Sequence, residues 1–413
     1  MTNLGKGSQL PSYTYDYSQP QRRAGNLTLV KSKPSGPYTY EGTVDSLVQE
    51  LRPAFPLHIL YPRKIEEAAR QFLEGIPGTP MYAVKCNPDK NVLQALLRSG
   101  ISAFDVASID EVRSVRKLSR KARLFFMHPI KAREAIGEAY FKHNVRAFVL
   151  DEQKELNKIL QETRLAADLE LFVRIAVVND KARVSLSGKF GAPTEDAVNL
   201  LRLCRPACAR LGVSFHVGSQ CMEPDAYRSA IAQAAAIIAE SGVKIDILDV
   251  GGGFPVHYEG MTPPPLSDYF ATIRQAVADY GFADLEILAE PGRGLVGNAG
   301  SMIARVELAR THTLHLNDGT YGGLFEGGKQ NNIPYPVRRI RADYAEPQEQ
   351  EMKPFRLAGP TCDSIDVLDG PFMLPADIEE GDWIEFRQHG AYGVCSRSSF
   401  NGFGEFSTVV MKD

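Results

Sequence analysis

Long hydrophobic runs are missing from this chain. No apolar stretch approaches the roughly 20 residues that a membrane-spanning helix needs. Residues 1–25, MTNLGKGSQLPSYTYDYSQPQRRAG, hold no hydrophobic core of the secretory kind, and a cytoplasmic protein is expected. Cysteine is sparse, six in 413 residues, with no Cys-x-x-Cys pair, so free thiols in a reducing compartment are expected. Cys204 and Cys208 stand four apart on an expected helix, a spacing that suits a metal. No histidine or cysteine cluster lies near them, so they read as a packed helix face and no metal is expected. An excess of one charge is missing too. Lys and Arg number 47 against 50 Asp and Glu, a net charge of −3, and nothing marks a nucleic-acid surface.

What is present is the composition of a globular protein, 44% hydrophobic and 23% charged, at a length that predicts two domains, one of them large. Residues 1–25, rich in Tyr, Ser, Gln and Gly, read as a flexible tail. Residues 26–54 carry short β-like and helical pieces, NLTLVKS and SLVQELRPAF. From residue 81 a rhythm begins. Apolar strands are expected at 81–85, 102–108, 123–129, 147–151, 170–177, 213–219, 246–253 and 286–293, with helical spacing between them. This alternation predicts a (β/α)8 barrel over residues 55–300. A doubly wound open sheet is the alternative, but no G-x-G-x-x-G follows the first strand. After residue 300 the pattern changes to strands separated by Gly and Pro turns, a mostly β domain over 301–413.

A barrel carries its chemistry at the carboxyl ends of its strands, with phosphate groups often held after strands seven and eight. GGGFP (251–255) and EPGR (290–293) fall at those two places, the first able to turn N–H groups toward an anion, the second supplying Arg293. Lys85 closes the first strand, in MYAVKCNP. It either reaches water there or is an amine held in a pocket, able to form a Schiff base. A lysine and a phosphate site at one mouth point to pyridoxal 5'-phosphate. Glu290 then suits the ring nitrogen, His216 (in HVGS) the ring face, and Ser219 the phosphate.

The ordered set AVKCNP, HVGSQ, DVGGGFP, EPGR, GPTCDSID and GAYG strongly resembles the fold-type III pyridoxal-phosphate decarboxylases, which include the ornithine, lysine and diaminopimelate enzymes. The likeness covers roughly residues 40–410 and is nearest to ornithine decarboxylase. It implies a barrel plus a β domain that takes strands from both chain ends, so residues 26–54 are expected to join that domain. It gives Lys85 the Schiff base, Glu290 the ring nitrogen and His216 the ring face. Ser219, Gly252, Gly253, Gly292, Arg293 and Tyr392 are given the phosphate, and Asp105 and Arg174 further places in the cofactor pocket. It also implies a homodimer with shared active sites, in which Cys362, the candidate proton donor, and Asp363 enter from the partner subunit.

Asp318 (in HLNDGTYGGL) and Asp363 match the two aspartates that receive a substrate's distal ammonium in ornithine-type enzymes. Aspartate at 363, where diaminopimelate enzymes usually carry Glu, favours decarboxylation of L-ornithine or L-lysine to putrescine or cadaverine. Two features depart from the ornithine pattern: Gln220 stands where many such enzymes have glycine, and Arg338, Arg339 and Arg341 follow Asp318. Those arginines read either as a solvated strand or as receivers of an extra carboxylate. The latter would suit diaminopimelate or a conjugated diamino acid of siderophore assembly. A non-catalytic regulatory homologue and a racemase are the remaining readings. The first fits poorly with the presence of Lys85, Glu290, Arg293 and Cys362, and the second lacks a tyrosine base opposite the lysine.

Overall fold

In the computed structural model, which describes residues 38–177, 182–184, 188–341 and 350–412, eight parallel strands close into a barrel. They are Thr79–Ala83, Ala103–Val106, Arg123–Phe126, Ala147–Leu150, Glu170–Arg174, Arg210–Ser214, Ile247–Asp249 and Glu286–Ala289. Closure leaves no sheet edge, and the open-sheet alternative falls away. Helices return the chain between strands, and their ends are set locally. Asp89 caps Lys90–Arg98 by accepting from the Asn91 N–H at 2.7 Å. Ser108 caps Ile109–Leu118 through the Glu111 N–H. Gly242, at φ +66°, closes Asp225–Ser241.

Inside the barrel, Met81, Ala103, Phe125, Ala147, Phe172, Ile247 and Leu288 pack into one apolar layer. The sixth strand brings only Gly212 to this level, where a Cβ would lie 2.6 Å from the Phe172 ring. Side chains alternate along a strand, so the next inward position lies two residues on. That step leads to Asp105, Arg174, Asp249 and Glu290, and on the first and sixth strands a second step leads to Lys85 and His216.

Every strand is shorter at its carboxyl end than the apolar pattern predicts. The first ends at Ala83, and Val84–Cys86 form a 3-10 turn that carries Lys85. The sixth is Arg210–Ser214, so His216 lies beyond it rather than at its end. Past the last paired residue apolar side chains go on being buried, Val84, Met127, Ile175, Phe215 and Val250 among them, which extends the apolar pattern beyond the strands.

A nine-stranded sheet forms the second layer. Gly300–Ala309 runs antiparallel to both Leu57–Leu60 and Trp383–Phe386. Ser407–Lys412 inserts, parallel on each side, between Tyr38–Glu41 and Leu57–Leu60. Three strands of this sheet have no counterpart in the sequence reading: Tyr38–Glu41, Leu57–Leu60, which falls within the span expected to be barrel, and Val367–Pro375, where Gly370–Pro371 reads as a turn. Among the described residues Val367–Pro375 pairs only with Met352–Ala358, at the end of the sheet, where a residue without an N–H is tolerated. Residues 1–37, including the expected tail and NLTLVKS, lie outside the described residues, as do Ala342–Tyr344 of the expected RRIRADY strand. No helix among the described residues is long and apolar enough to cross a membrane.

The apolar layer is the part of the barrel with least room to adjust. Phe172→Ala is expected to cost about 3–5 kcal/mol, read as a fall in the urea midpoint followed by circular dichroism.

Candidate active site

The step from the apolar layer to the next brings charge into the barrel mouth. Lys85 Nζ donates to Asp105 Oδ2 at 2.8 Å. Asp105 is buried, and its Oδ1 has no hydrogen-bond partner. Burial pulls the Lys85 pKa down, but Asp105 and then Glu290 outweigh it and hold the amine protonated. His216 Nδ1 accepts the Gly218 N–H at 2.9 Å, which leaves the proton on Nε2. Burial, with Arg174 and Lys85 nearby, holds the His216 pKa well below its ordinary value, so the ring is neutral.

Glu290 follows the eighth strand, and its N–H bonds to Gly251 O at 2.8 Å. Its carboxyl lies against that of Asp249. Burial raises the pKa of both, and their mutual repulsion holds Glu290 up further, so the two act as a proton-sharing pair. Asp249 is absent from the sequence-derived set. It sits in the quoted DVGGG motif, two residues beyond the inward-facing Ile247, so strand alternation alone marks it as an inward group.

The loop Gly251–Gly253 presses against its neighbours. A Cβ on Gly252 would lie 2.6 Å from Glu290 O and 2.9 Å from His216 Nε2, and one on Gly253 would lie 2.6 Å from Gly218 O. Gln220 holds this loop to the preceding one through Val256, accepting its N–H at 3.1 Å and donating to its carbonyl at 2.5 Å. The backbone of Gln220 is left-handed, φ +55°, the conformation that glycine adopts most freely.

Arg293 is buried, and its guanidinium is fully engaged. It forms a bidentate pair with Glu326 at 2.6 and 2.7 Å, donates to Tyr258 Oη at 2.8 Å, and reaches Ser219 Oγ at 3.3 Å. Neither Glu326 nor Tyr258 belongs to the sequence-derived set. Tyr392, at φ +57°, hangs over Arg293 with its ring 5.1 Å from the guanidinium, and its N–H bonds to Cys86 O.

Lys85, His216, Ser219, Gly253, Glu290, Gly292, Arg293 and Tyr392 therefore line one pocket. Gly252 backs it. Asp105 meets it through Lys85, and Arg174 through its charge on His216 and Asp249.

Besides Gly252, Asp105 and Arg174, three further expected residues do not line the pocket. Cys362 and Asp363 sit on an exposed loop of the same chain, Cys362 N–H bonded to Asn401 Oδ1 and Asp363 to the Tyr321 hydroxyl. Asp318 is buried and already paired with Arg397, at 2.5 and 3.2 Å. The arginines after Asp318 form neither a solvated strand nor an open carboxylate receiver. Arg338 is paired with Asp45 and Glu385, while Arg339 and Arg341, both buried, are paired with Asp377.

The barrel and this mouth have close counterparts among known proteins. Residues 62–297 match the family of the pyridoxal-dependent decarboxylase, pyridoxal binding domain. The decarboxylase flvG of Aspergillus flavus is 33% identical over 80% of each chain. The lysine/ornithine decarboxylase of Selenomonas ruminantium is 32% identical over 85% of this chain and 88% of its own. The arginine decarboxylase of Paramecium bursaria Chlorella virus, solved with agmatine bound, superposes with a TM-score of 0.79 at 29% identity, covering 89% of this chain and 99% of its own. From the closed barrel with its β layer, through the lysine turn and the glycine loop, to these relatives, the chain belongs to the pyridoxal-dependent decarboxylases.

Proposed function

We propose that the protein is a pyridoxal-phosphate-dependent decarboxylase of a basic diamino acid, L-ornithine or L-lysine, working as a cytoplasmic homodimer. The observation that carries this reading is the convergence of Lys85, His216, Glu290 and Arg293 on one pocket in a chain of this family. The lysine/ornithine specificity of the Selenomonas ruminantium relative supports the substrate class. Six free cysteines suit a reducing compartment.

The residues fit the cofactor. Gly253, Ser219 and Arg293 line one end of the pocket together, where glycine backbone, a hydroxyl and a guanidinium suit a phosphate. The Asp249–Glu290 pair is a buried acidic site without a hydrogen-bonded cation, suited to a protonated ring nitrogen. Lys85 would hold the cofactor covalently, and Gly292 and Tyr392 would close the phosphate end, with Asp105 and Arg174 behind. When bound, pyridoxal phosphate supplies an electron sink for the carbanion left by loss of CO2.

The chain's own groups do the rest. Lys85 is protonated and hydrogen-bonded to Asp105, so it acts as a nucleophile only after giving up that proton. Neutral His216 offers an uncharged ring face, its orientation fixed by the Gly218 N–H. Glu290 and Asp249 keep a proton within the barrel at the place where electrons must be drawn. Cys362 would return a proton to the α-carbon, and Asp363 would take the distal ammonium, each reaching the site of the other subunit. Cys362 is exposed and Asp363 half-buried on a single chain, neither of them lining the pocket, which supports that arrangement.

Incubating the cofactor-loaded protein with L-ornithine, L-lysine, L-arginine and meso-diaminopimelate, and measuring CO2 and amine, tests this reading. Release from ornithine or lysine supports it, and release from diaminopimelate alone overturns it. Lys85→Ala is expected to abolish both turnover and the visible absorbance of the bound cofactor, and retention of both would reject the role of Lys85. A third expectation concerns pH. Burial raises Asp249 from 3.8 to about 6. A raised carboxylate pKa means the folded state holds its proton more tightly, so the penalty is absent below the unfolded value and grows as pH climbs. Asp249→Asn, which keeps an acceptor for the Gly251 N–H, should therefore raise the Tm of the cofactor-free protein. The gain over wild type should widen between about pH 4 and 6 and stay level above that range.

A further inference from the structure

Asp318 follows the strand Thr313–Leu316 and begins a loop that runs on to Glu326, the partner of Arg293. Its carboxylate is crowded with donors. Oδ1 accepts from the Gly319 N–H, the Gly323 N–H and Arg397 Nη1, at 3.0, 3.1 and 3.2 Å. Oδ2 accepts from the Gly323 N–H at 3.2 Å and from Arg397 Nη2 at 2.5 Å. An ionised carboxylate has about four acceptor sites, and these five contacts fill them.

Arg397 is equally fixed. Its side chain is 6% exposed and that of Asp318 is 3% exposed. Nη2 also reaches His58 Nε2 at 3.1 Å, and the guanidinium lies 4.7 Å from the Phe406 ring. His58 is buried and neutral, so its Nε2 lone pair is available as an acceptor. The arginine lies five residues after Tyr392, a pocket residue, and Asp318 lies on the loop that leads to Glu326, the partner of Arg293.

We propose that Arg397 takes the acceptor sites on Asp318 that a substrate's distal ammonium would otherwise use, which leaves that ammonium to Asp363 alone. This rests on the decarboxylase reading above. Asp363 is oriented by the Tyr321 hydroxyl at 2.5 Å and the Ile365 N–H at 3.1 Å, and it is only half-buried. Two fixed carboxylates would set both the charge and the chain length of a substrate. One carboxylate selects for a distal cation and sets its length only loosely, so the substrate class is diamino acids of more than one length.

The test combines melting and kinetics on the cofactor-loaded protein, with Asp318→Asn, Arg397→Met and the double variant. Each single change strands a buried charge or dipole and should lower Tm, while the double variant should recover most of the loss. With L-lysine and with L-ornithine the double variant should keep KM within about threefold of wild type, whereas Asp363→Asn should raise it at least about tenfold. A double variant that recovers Tm but loses about tenfold or more in KM would overturn the proposal, since Asp318 would then be a substrate ligand. Additive losses in Tm would overturn it as well, because the pair would not be a unit. If wild type releases CO2 from neither diamino acid, the functional reading fails, and the melting cycle still decides the pairing of Arg397 with Asp318.

Discussion

Barrel closure is the constraint on which the rest of this structure depends. Once eight parallel strands close, every second side chain must point inward, and the interior admits only a few levels. The chain fills one level with apolar groups around Phe172 and gives up a side chain at Gly212 to fit them. The level above inherits its positions from the same alternation. Asp105, Arg174, Asp249 and Glu290 take those positions, and the segments just beyond the first and sixth strands bring Lys85 and His216 to the same mouth, although the six are spread along the whole barrel sequence. The packed layer beneath them also excludes water from below, which is why the pKa values of His216, Asp249 and Glu290 move as far as they do.

Charges at this mouth are balanced almost pair by pair. Lys85 faces Asp105, Arg293 faces Glu326 and Arg397 faces Asp318. Buried ions are tolerated when each has a close partner and its remaining donors are satisfied. The Asp249–Glu290 pair breaks the pattern, being two acids with one proton between them. It is the acidic place in the barrel that a cation can complete. Arg293 also joins the two layers of the molecule. Its backbone belongs to the barrel, while Glu326 lies in the connection between strands of the large sheet. The pocket wall is therefore held from both sides, and a shift of the sheet would be felt at the arginine.

Much of this was legible in the sequence, for identifiable reasons. Barrel strands announce themselves because a fully inward and outward buried strand is nearly continuous in apolar residues. The same continuity hid their ends, since apolar side chains go on being buried just beyond the strands. Val367–Pro375 was hidden by Gly370–Pro371, a signal that marks turns far more often than edge strands. Asp249 was readable by parity from Ile247 but stood beside a glycine triplet that draws the eye to phosphate. Glu326, Tyr258 and Arg397 were not readable. Their partners lie 33, 35 and 79 residues away, and no local spacing encodes such contacts.

The way the last strand is placed has a consequence for how the molecule is made. Ser407–Lys412 does not lie at the rim of the sheet but between Tyr38–Glu41 and Leu57–Leu60, two of its earliest strands. During synthesis the barrel segments emerge after these two strands but well before 407–412, and can close on local helix and strand contacts. Leu57–Leu60 then keeps an open backbone edge through the translation of some 350 residues, until 407–412 have been made. The nascent protein is thus exposed at that edge until residues 407–412 are made, and that strand acts as the clasp that removes it.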